Sequence, residues 1–171
     1  MTLRRSIPAC VFALAAVAPL AGAGTATAAQ AENVTFTAYN RSVLVVTDPG
    51  DVVAVAAPGV EFADNAKWQL SARGEPTTIW NPSGNGCLQT DHGVLAPDAG
   101  LRIGPCQNAV PSKWVVRAVG EDGKYEVSPV EEPDLVVTLG TPTSTSEDRP
   151  IQLSVRADSA IEKWTVATFQ G

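Results

Sequence analysis

Hydrophobic positions beyond residue 31 occur in short runs that are separated by groups of polar and turn-forming residues. Within these runs Val, Ile, Thr and Trp alternate with polar residues or cluster together, and no long stretch repeats its apolar positions with the period of an amphipathic helix. Pro, Gly, Asp and Asn lie between the runs, where turns are expected. The pattern therefore predicts an all-β domain. The twelve predicted strands span residues 36–39, 42–46, 52–56, 67–71, 77–81, 87–90, 101–104, 114–118, 124–128, 135–139, 151–155 and 164–169.

The first 31 residues follow a different pattern. Arg4 and Arg5 precede a run rich in Ala, Val and Leu that extends to Ala23, and Ala-x-Ala sequences follow at 26–28 and 29–31. A basic start, an apolar centre and such cleavage sites are together typical of a secretory signal peptide. We therefore expect residues 1–31 to be a signal peptide cleaved after Ala28 or Ala31, residues 32–171 to form the folded domain, and the protein to be secreted to the extracellular space.

The charge of the chain excludes two classes of partner. The full sequence has 12 basic and 18 acidic residues, a net charge of −6. Residues 1–31 hold two of the basic residues and none of the acidic ones, so the remaining 140 residues would carry a net charge of −8. No cluster of Lys and Arg interrupts this acidity, so neither nucleic acid nor an anionic membrane is expected as a partner. The length fits one domain.

Three cysteines occur in the chain, and one of them, Cys10, lies in the predicted signal peptide. The other two, Cys87 and Cys106, form an even count in a protein that is predicted to be exported. We expect them to form a disulfide bond.

A repeat organises the rest of the chain. The pair Lys-Trp occurs three times, at Trp68, Trp114 and Trp164, with spacings of 46 and 50 residues, and an alternating strand follows each pair. The 14 residues from Leu101 to Trp114 align without a gap with the 14 from Ile151 to Trp164. Repetition at this period predicts three units of four strands each. The units span about 34–74, 75–121 and 122–171.

Three such units, each with a Trp near its end, resemble a β-trefoil, and this resemblance covers the whole chain after residue 31. The second unit is similar to the repeats of ricin-B-type lectins. Its Gly-x-Cys-Leu-Asp opening, second cysteine and Gln-x-Trp signature are matched, in part, by Gly86-Cys87-Leu88-Gln89, Cys106 and Trp114. The resemblance implies a barrel closed by hairpins about a pseudo-threefold axis. It also implies that the repeated Trp residues are core anchors of their units: Trp68, Trp114 and Trp164.

The resemblance also implies where a sugar would bind. In ricin-type repeats the sugar is held by an Asp after the first Cys, an aromatic ring near the third strand and an Asn/Gln pair before the Trp. This chain has Gln89 in place of the Asp, and Gly104 and Pro105 where the ring is expected. No exposed ring is expected in the second unit. Polar neighbours could provide replacement hydrogen bonds, so the candidate sugar-binding residues are Gln89, Asp91, His92 and Asn108.

A loop between the predicted fourth and fifth strands is the candidate protein-binding site. In Kunitz-type β-trefoil protease inhibitors the same connection carries the reactive-site loop, and the chain also resembles fungal cospin-type inhibitors in having no disulfide-rich framework. The resemblance implies that Arg73 could enter the specificity pocket of a trypsin-like protease. The loops could instead dock a subunit of a secreted complex, and the acidic loops at 121–122, 131–134 and 147–148 would orient that docking. The candidate residues are Ser71, Ala72, Arg73, Gly74 and Glu75.

Residues suited to catalysis are scarce. His92 is the only histidine, and no Ser or Cys nucleophile lies in a recognisable frame with it. The acidic pairs are adjacent in turns, unlike the two separated carboxylates that glycoside cleavage requires. We expect no catalytic residue, no metal and no cofactor. The sequence thus predicts a secreted, non-enzymatic β-trefoil that recognises a protein partner through its loops, with a carbohydrate-binding lectin module as the alternative.

Overall fold

The structure is a computed structural model that describes residues 31–47, 53–60, 63–106, 112–120, 122–140 and 150–170. The predicted signal peptide, apart from Ala31, lies outside the described residues, and so do the predicted acidic loop at 147–148 and Glu121 of the loop at 121–122.

The described residues form an all-β fold, as the hydrophobic pattern predicts. Thirteen strands occur instead of twelve, because the predicted strand 77–81 is divided at Thr78, and the first strand begins at Glu32 rather than at residue 36. Three single-turn 3-10 helices connect strands: Asp64–Ala66, Asp91–Gly93 and Ala160–Glu162. The strands are β1 (Glu32–Ala38), β2 (Val43–Val46), β3 (Val53–Ala56), β4 (Trp68–Leu70), β5 (Pro76–Thr77), β6 (Ile79–Asn81), β7 (Gly86–Thr90), β8 (Leu101–Gly104), β9 (Trp114–Val119), β10 (Lys124–Pro129), β11 (Leu135–Leu139), β12 (Ile151–Val155) and β13 (Trp164–Thr168).

Six antiparallel walls close into a barrel. The order of hydrogen-bonded neighbours is β5-β9-β10-β13-β1-β4-β6, and β5 and β6 are successive pieces of one wall, so the ends of this order meet. Three hairpins, β2–β3, β7–β8 and β11–β12, extend from the barrel, and bridges from Ala54 to Pro150 and from Gly100 to Gln152 connect them. The architecture is a β-trefoil in which each unit contributes two barrel walls and one hairpin.

The three repeated Trp residues anchor the core in the same way. Each indole is at most 1% exposed and lies in one hydrophobic cluster that extends through all three units. Each indole Nε1–H donates to a carbonyl in the second strand of its own unit, over distances of 2.9 to 3.0 Å. Because a buried indole N–H needs an acceptor, these bonds fix the first hairpin strand of each unit against its barrel wall. The donor and acceptor pairs are Trp68 and Leu44, Trp114 and Leu88, and Trp164 and Val137.

Candidate functional site

The hydrogen bonds of the three indole N–H groups identify, in each unit, the position that corresponds to the sugar-binding Asp of ricin-type repeats. The residue after each acceptor carbonyl corresponds to the ricin-type Asp, and these residues are Val45, Gln89 and Thr138. All three are buried, with at most 3% of their surface exposed. Val45 packs with Val43 and Ala66, the Gln89 amide donates to the carbonyl of Pro105, and the Thr138 hydroxyl donates to the Ile161 carbonyl at 3.1 Å. The chain's own groups therefore engage the side chain at each of these positions.

The position two residues before each Trp, where the ricin-type signature has Gln, is also buried. It is occupied by Ala66, Ser112 and Glu162. The Glu162 carboxylate accepts the backbone N–H groups of Ala157 and Ser159 and the Ser159 hydroxyl, at 3.1 to 3.3 Å, in a capping box. This acid supports the turn before β13, and it is not free to bind a ligand.

Two of the four candidate sugar-binding residues lie together. The Asp91 carboxylate is 3.6 Å from His92 Nε2 and 3.7 Å from Nε of Arg102, and the His92 side chain is 84% exposed. Gln89 is buried apart from them, and Asn108 lies outside the described residues. Arg102 was not predicted to belong to this group, although it lies directly across the β7–β8 hairpin from Gln89. The exposed polar cluster of the second unit is therefore Asp91, His92 and Arg102.

The second unit has a partly exposed ring that the sequence patterns did not indicate. Trp80 of β6 is partly exposed, whereas its neighbours Ile79 and Asn81 are buried. Alternation along the strand explains this: Ile79 belongs to the core cluster, so Trp80 faces the opposite, outer side of the barrel wall. The same alternation could have been read from the sequence. Trp80 was missed because it is the one Trp outside the Lys-Trp repeat.

Arg73 does not extend from its loop as the inhibitor resemblance implied. The loop does join β4 to β5, but the Arg73 guanidinium donates two hydrogen bonds to the Glu32 carboxylate, at 2.9 and 2.5 Å, and one to the Val166 carbonyl at 3.3 Å. It also lies 5.0 Å from the centre of the Tyr125 ring. Burial acts to lower the pKa of Arg73, but the hydrogen bonds and charges of Glu32 and Tyr125 outweigh it and raise the pKa.

The neighbouring loop residues are more open. Ser71, Gly74 and Glu75 are exposed, and Ala72 is half-buried. The Gly74 N–H donates to the Val116 carbonyl at 2.8 Å, and the Ser71 N–H donates to the Thr77 hydroxyl at 3.1 Å. The loop is thus tied to the barrel at its centre as well as at its start.

A second loop presents acidic side chains. Residues 130–134, which join β10 to β11, are exposed and include Glu131, Glu132 and Asp134. Arg156 holds this loop: its backbone N–H donates to the Asp134 carbonyl at 2.9 Å and its guanidinium to the Pro133 carbonyl at 2.7 Å. We call residues 130–134 the acidic loop.

A buried acid lies behind the acidic loop. The Glu126 side chain is only 4% exposed, and its Oε2 accepts a hydrogen bond from Nε of Arg156 at 3.0 Å and lies 3.5 Å from Nη2 of Arg117. A buried carboxylate requires such partners. Glu126 therefore positions Arg156, which in turn holds the acidic loop. Its cross-strand neighbour Arg117 was the signal in the sequence that could have indicated this cluster.

Within the described ranges no group of three or more His, Cys, Asp or Glu side chains is arranged to hold a metal ion. No helix in that same part of the chain is long and apolar enough to span a membrane. Cys87 and Cys106 form the predicted disulfide, with 4.9 Å between their Cα atoms. The chemistry that these side chains offer is recognition by hydrogen bonds, charges and aromatic surface.

Comparison with solved structures supports the same view of the fold. A ricin B-like lectin from Macrolepiota procera, solved in complex with lactose, is 16% identical with a TM-score of 0.65, over 85% of this chain and 99% of the lectin. The cytolethal distending toxin of Haemophilus ducreyi is 19% identical with a TM-score of 0.60, over 80% of this chain and 83% of that chain.

An exo-β-1,3-galactanase from Clostridium thermocellum is 16% identical with a TM-score of 0.65, over 80% of this chain and 30% of the galactanase. The sequence matches no family model and no curated protein. Since these three structures are each less than 20% identical to the chain, what they show is the fold: the chain is a β-trefoil.

Proposed function

We propose that the protein is an extracellular, non-catalytic binding module that recognises a protein partner through the acidic loop, as an adaptor in a secreted complex. The observation that carries this proposal is the ordered acidic loop, which presents Glu131, Glu132 and Asp134 while the lectin sugar positions are filled by the chain itself. A β-trefoil with a toxin among its structural neighbours and a predicted signal peptide is consistent with such a role.

The acidic loop is suited to docking because hydrogen bonds within the chain hold its backbone in one conformation. Its backbone is held at Val130 by the Lys113 carbonyl, at Pro133 and Asp134 by Arg156, and across the turn by the bond from Leu135 N–H to the Glu132 carbonyl. A preorganised loop loses less conformational entropy on binding than a mobile one.

Apolar surface adjoins these carboxylates. Val130 is 38% exposed, and Val155, which pairs with Leu135 next to the loop, is 58% exposed. A partner with a basic rim and a small apolar centre would complement this surface, and the charges would accelerate and orient its association.

The experiment is a pull-down from the culture medium of the producing organism with immobilised protein. Wild type is compared with the double variant Glu131→Lys, Glu132→Lys and with a matched control, Asp64→Lys, Asp98→Lys, in which the same charge is changed at exposed acids outside the candidate protein-binding loops. We expect a retained protein that is lost with the loop variant, kept by the control and weakened by salt. Equal retention by the loop variant, or no retained protein at all, would contradict the proposal.

Inhibition of a trypsin-like protease is the other form of a protein-partner function. It requires Arg73 to leave Glu32, Val166 and Tyr125, so the observed contacts favour the adaptor. Titration of trypsin with the protein tests this directly. Nanomolar inhibition that disappears with Arg73→Ala would replace the adaptor proposal with the inhibitor.

Glycan binding by the second unit is the second candidate, because Asp91, His92 and Arg102 converge as an exposed polar group. The Macrolepiota procera neighbour was solved with lactose, which makes lactose the first probe. Binding of lactose that is lost with Asp91→Ala would support this candidate. A glycan array without a response to the wild type would exclude it.

A further inference from the structure

The turn between β6 and β7, residues 82–85, ends in the one Asn-Gly pair of the chain, Asn85-Gly86. None of the functions above uses this turn. Asn85 is exposed, and Gly86, the first residue of β7, is buried. A backbone nitrogen attacks the side-chain amide of a preceding Asn most readily when it belongs to Gly, because no Cβ atom hinders the approach. The pair is therefore a candidate site of covalent modification.

The fold favours each member of the pair for a separate reason. Asn85 has a φ of 47°, a left-handed backbone conformation that Asn adopts more readily than most other residues. A Cβ atom on Gly86 would overlap the Ile103 side chain and lie 2.8 Å from the carbonyl oxygen of Gly104. The geometry of the turn thus favours Asn at the first position, and packing against β8 excludes a side chain at the second. The reactive pair is built into this turn.

The side-chain amide of Asn85 is unbonded, unlike those of the other described Asn residues. It forms no hydrogen bond with any described part of the chain. A bonded amide must lose its partner before it can rotate toward a backbone nitrogen, and that loss costs free energy. Each of the other four donates or accepts at least one hydrogen bond through its side chain: Asn33, Asn40, Asn65 and Asn81.

The residue that follows each Asn separates Asn85 further from the others. Three of the other four described Asn residues are followed by a residue with a Cβ atom, which crowds the attacking nitrogen. The fourth, Asn81, is followed by Pro82, which has no N–H proton to lose. The sixth Asn of the chain, Asn108, lies outside the described residues. Exposure, an unbonded amide and a following Gly therefore coincide at Asn85 alone within the described ranges.

The turn can open without disturbing the hydrophobic core, because none of residues 82–85 belongs to the core cluster. The Gly84 N–H donates to Asn81 Oδ1 at 2.8 Å, but the Asn85 N–H donates to the Pro82 carbonyl at 3.3 Å, which is longer than usual. Pro82 and Ser83 line an open cavity of about 220 Å³ beside the turn. Water reaches the turn from this side, and a rotation about the Cα–C bond of Asn85 costs little free energy.

We propose that Asn85 is a site of spontaneous deamidation, which converts it into Asp and isoaspartate. The amide nitrogen of Gly86 gives its proton to hydroxide and forms a bond to Cγ of Asn85, and the Cγ–Nδ2 bond breaks to release ammonia. Water then opens the succinimide ring that has formed. Opening at Cγ gives Asp, and opening at the backbone carbonyl carbon gives isoaspartate, in which the main chain runs through Cγ. The sequence of steps requires no oxidant, reductant or enzyme.

Both products change the second unit. Each replaces a neutral amide with a carboxylate, so a more acidic form of the protein accumulates with time. Isoaspartate also adds one atom to the main chain directly before Gly86, which packs against Ile103 and is paired with Asn81 across the hairpin. We expect this form to be less stable than the Asp form, because the added atom displaces Gly86 from its register. The site shares no residue with the acidic loop, and it does not rest on the proposed function.

The test follows the folded protein in mildly alkaline buffer prepared with water labelled with heavy oxygen. Non-denaturing isoelectric focusing detects the acidic form, and mass spectrometry of peptides locates the residue that gains the label. We expect the label at residue 85, both Asp and isoaspartate as products, and an equal amount of ammonia. The rate should rise with pH, since the nitrogen must lose its proton. It should lie within about tenfold of the rate in urea, because an exposed turn opens easily.

Two variants separate Asn85 from other sources of acidity. Asn85→Gly keeps a residue suited to a positive φ and lacks the amide, so no acidic form should accumulate. Asn40→Ser is the matched control, because Asn40 is also exposed in a turn and a Ser hydroxyl can still accept the Ser42 N–H. It should gain the acidic form at the rate of the wild type.

A third variant tests the effect of the modification on stability. Asn85→Asp reproduces the normal product, and its melting temperature should stay close to that of the unmodified protein. The isoaspartate fraction of the aged protein, separated by ion exchange, should melt at a lower temperature.

Three results would overturn the proposal. The first is folded protein without label at residue 85 after the sample in urea has reacted completely. The second is an acidic form that accumulates in Asn85→Gly at the rate of the wild type. The third is Asp without isoaspartate, which would mean that water hydrolyses the amide directly and that no succinimide forms.

Discussion

Arg73 is held by groups from three distant parts of the chain. Glu32 precedes it by 41 residues, and Val166 follows it by 93. The sequence places Arg73 correctly in a loop after β4, because turn residues follow an alternating strand there. It cannot show the side chain's partners, since those are brought close only when the barrel closes. The resemblance to an inhibitor loop concerns only which two strands the loop joins. The contacts of the Arg73 side chain depend instead on tertiary structure.

Replacement of Arg73 should therefore reduce stability. We expect Arg73→Ala to lower the free energy of unfolding by about 1 kcal/mol, because a bidentate ion pair and the packing on Tyr125 are lost from a partly exposed site. Arg73→Lys should restore only part of this, since an ammonium cannot form the paired bonds. Urea denaturation of both variants and of Glu32→Gln, combined as a double-mutant cycle, measures the coupling. Strict additivity of Arg73→Ala and Glu32→Gln would contradict the contact.

A second residue pair should make stability depend on pH. Asp158 and Lys163 are 2.7 Å apart. The hydrogen bond and charge of Lys163 lower the pKa of Asp158 below 3.8, and the hydrogen bond of Asp158 raises the pKa of Lys163 above 10.5. The stabilising contribution is then present between these values, and it is lost as the pH falls through the lowered pKa or rises through the raised one.

The measurement is the melting temperature of wild type and Asp158→Asn across the pH range. We expect a small difference at neutral pH, because the pair is exposed. This difference should diminish as the pH falls below 3.8 and through the lowered pKa of Asp158. If the difference in melting temperature between wild type and Asp158→Asn persists unchanged at the lowest pH, Asp158 acts through its backbone conformation rather than through its charge.

At the level of elements, the strands were predictable because most of them alternate or are continuously apolar, and Pro, Gly and Asn separate them. The division of one barrel wall into β5 and β6 at Thr78 could not be predicted, since no signal in the sequence marks the interruption. The turn before β13 was also missed. Ser159 and Glu162 have the spacing of a capping box, but the helix between them is a single turn that an apolar period cannot reveal.

Glu162 should be essential to that turn. Glu162→Ala removes the buried carboxylate to which the N–H groups of Ala157 and Ser159 donate. Because hydrogen bonds to a charged group are among the stronger ones, we expect a loss of about 1–3 kcal/mol in the free energy of unfolding. Glu162→Gln keeps one acceptor oxygen and should lose less. The exposed Glu132→Ala serves as the control and should change stability little. Chemical denaturation distinguishes them, and equal effects of Glu162→Ala and Glu132→Ala would refute the role of the capping box.

For the whole molecule, the Lys-Trp repeat was the most informative feature of the sequence. A Trp that must be buried in each unit, at a period of 46 to 50 residues, requires three equivalent environments, and the β-trefoil provides them. Surface function does not follow from this repeat, because it concerns inward-facing positions. The acidic loop consists of residues that differ between the units, and only the closed barrel shows which residues are their neighbours.

The disulfide between Cys87 and Cys106 is a covalent link within the second unit. Its removal tests whether the hydrophobic core is stable without it. The double variant Cys87→Ala, Cys106→Ser leaves no free thiol in residues 32–171 and opens a loop with a sequence separation of 19 residues. We expect the free energy of unfolding to fall by about 3 kcal/mol, mainly because the unfolded chain gains freedom. The fold should persist, since Trp114 still donates to the Leu88 carbonyl beside the former bridge. Near-ultraviolet circular dichroism would report that environment, and urea denaturation the loss. An unfolded double variant would mean that the second unit depends on the bridge to form, and an unchanged midpoint would mean that Cys87 and Cys106 are not linked in the wild type.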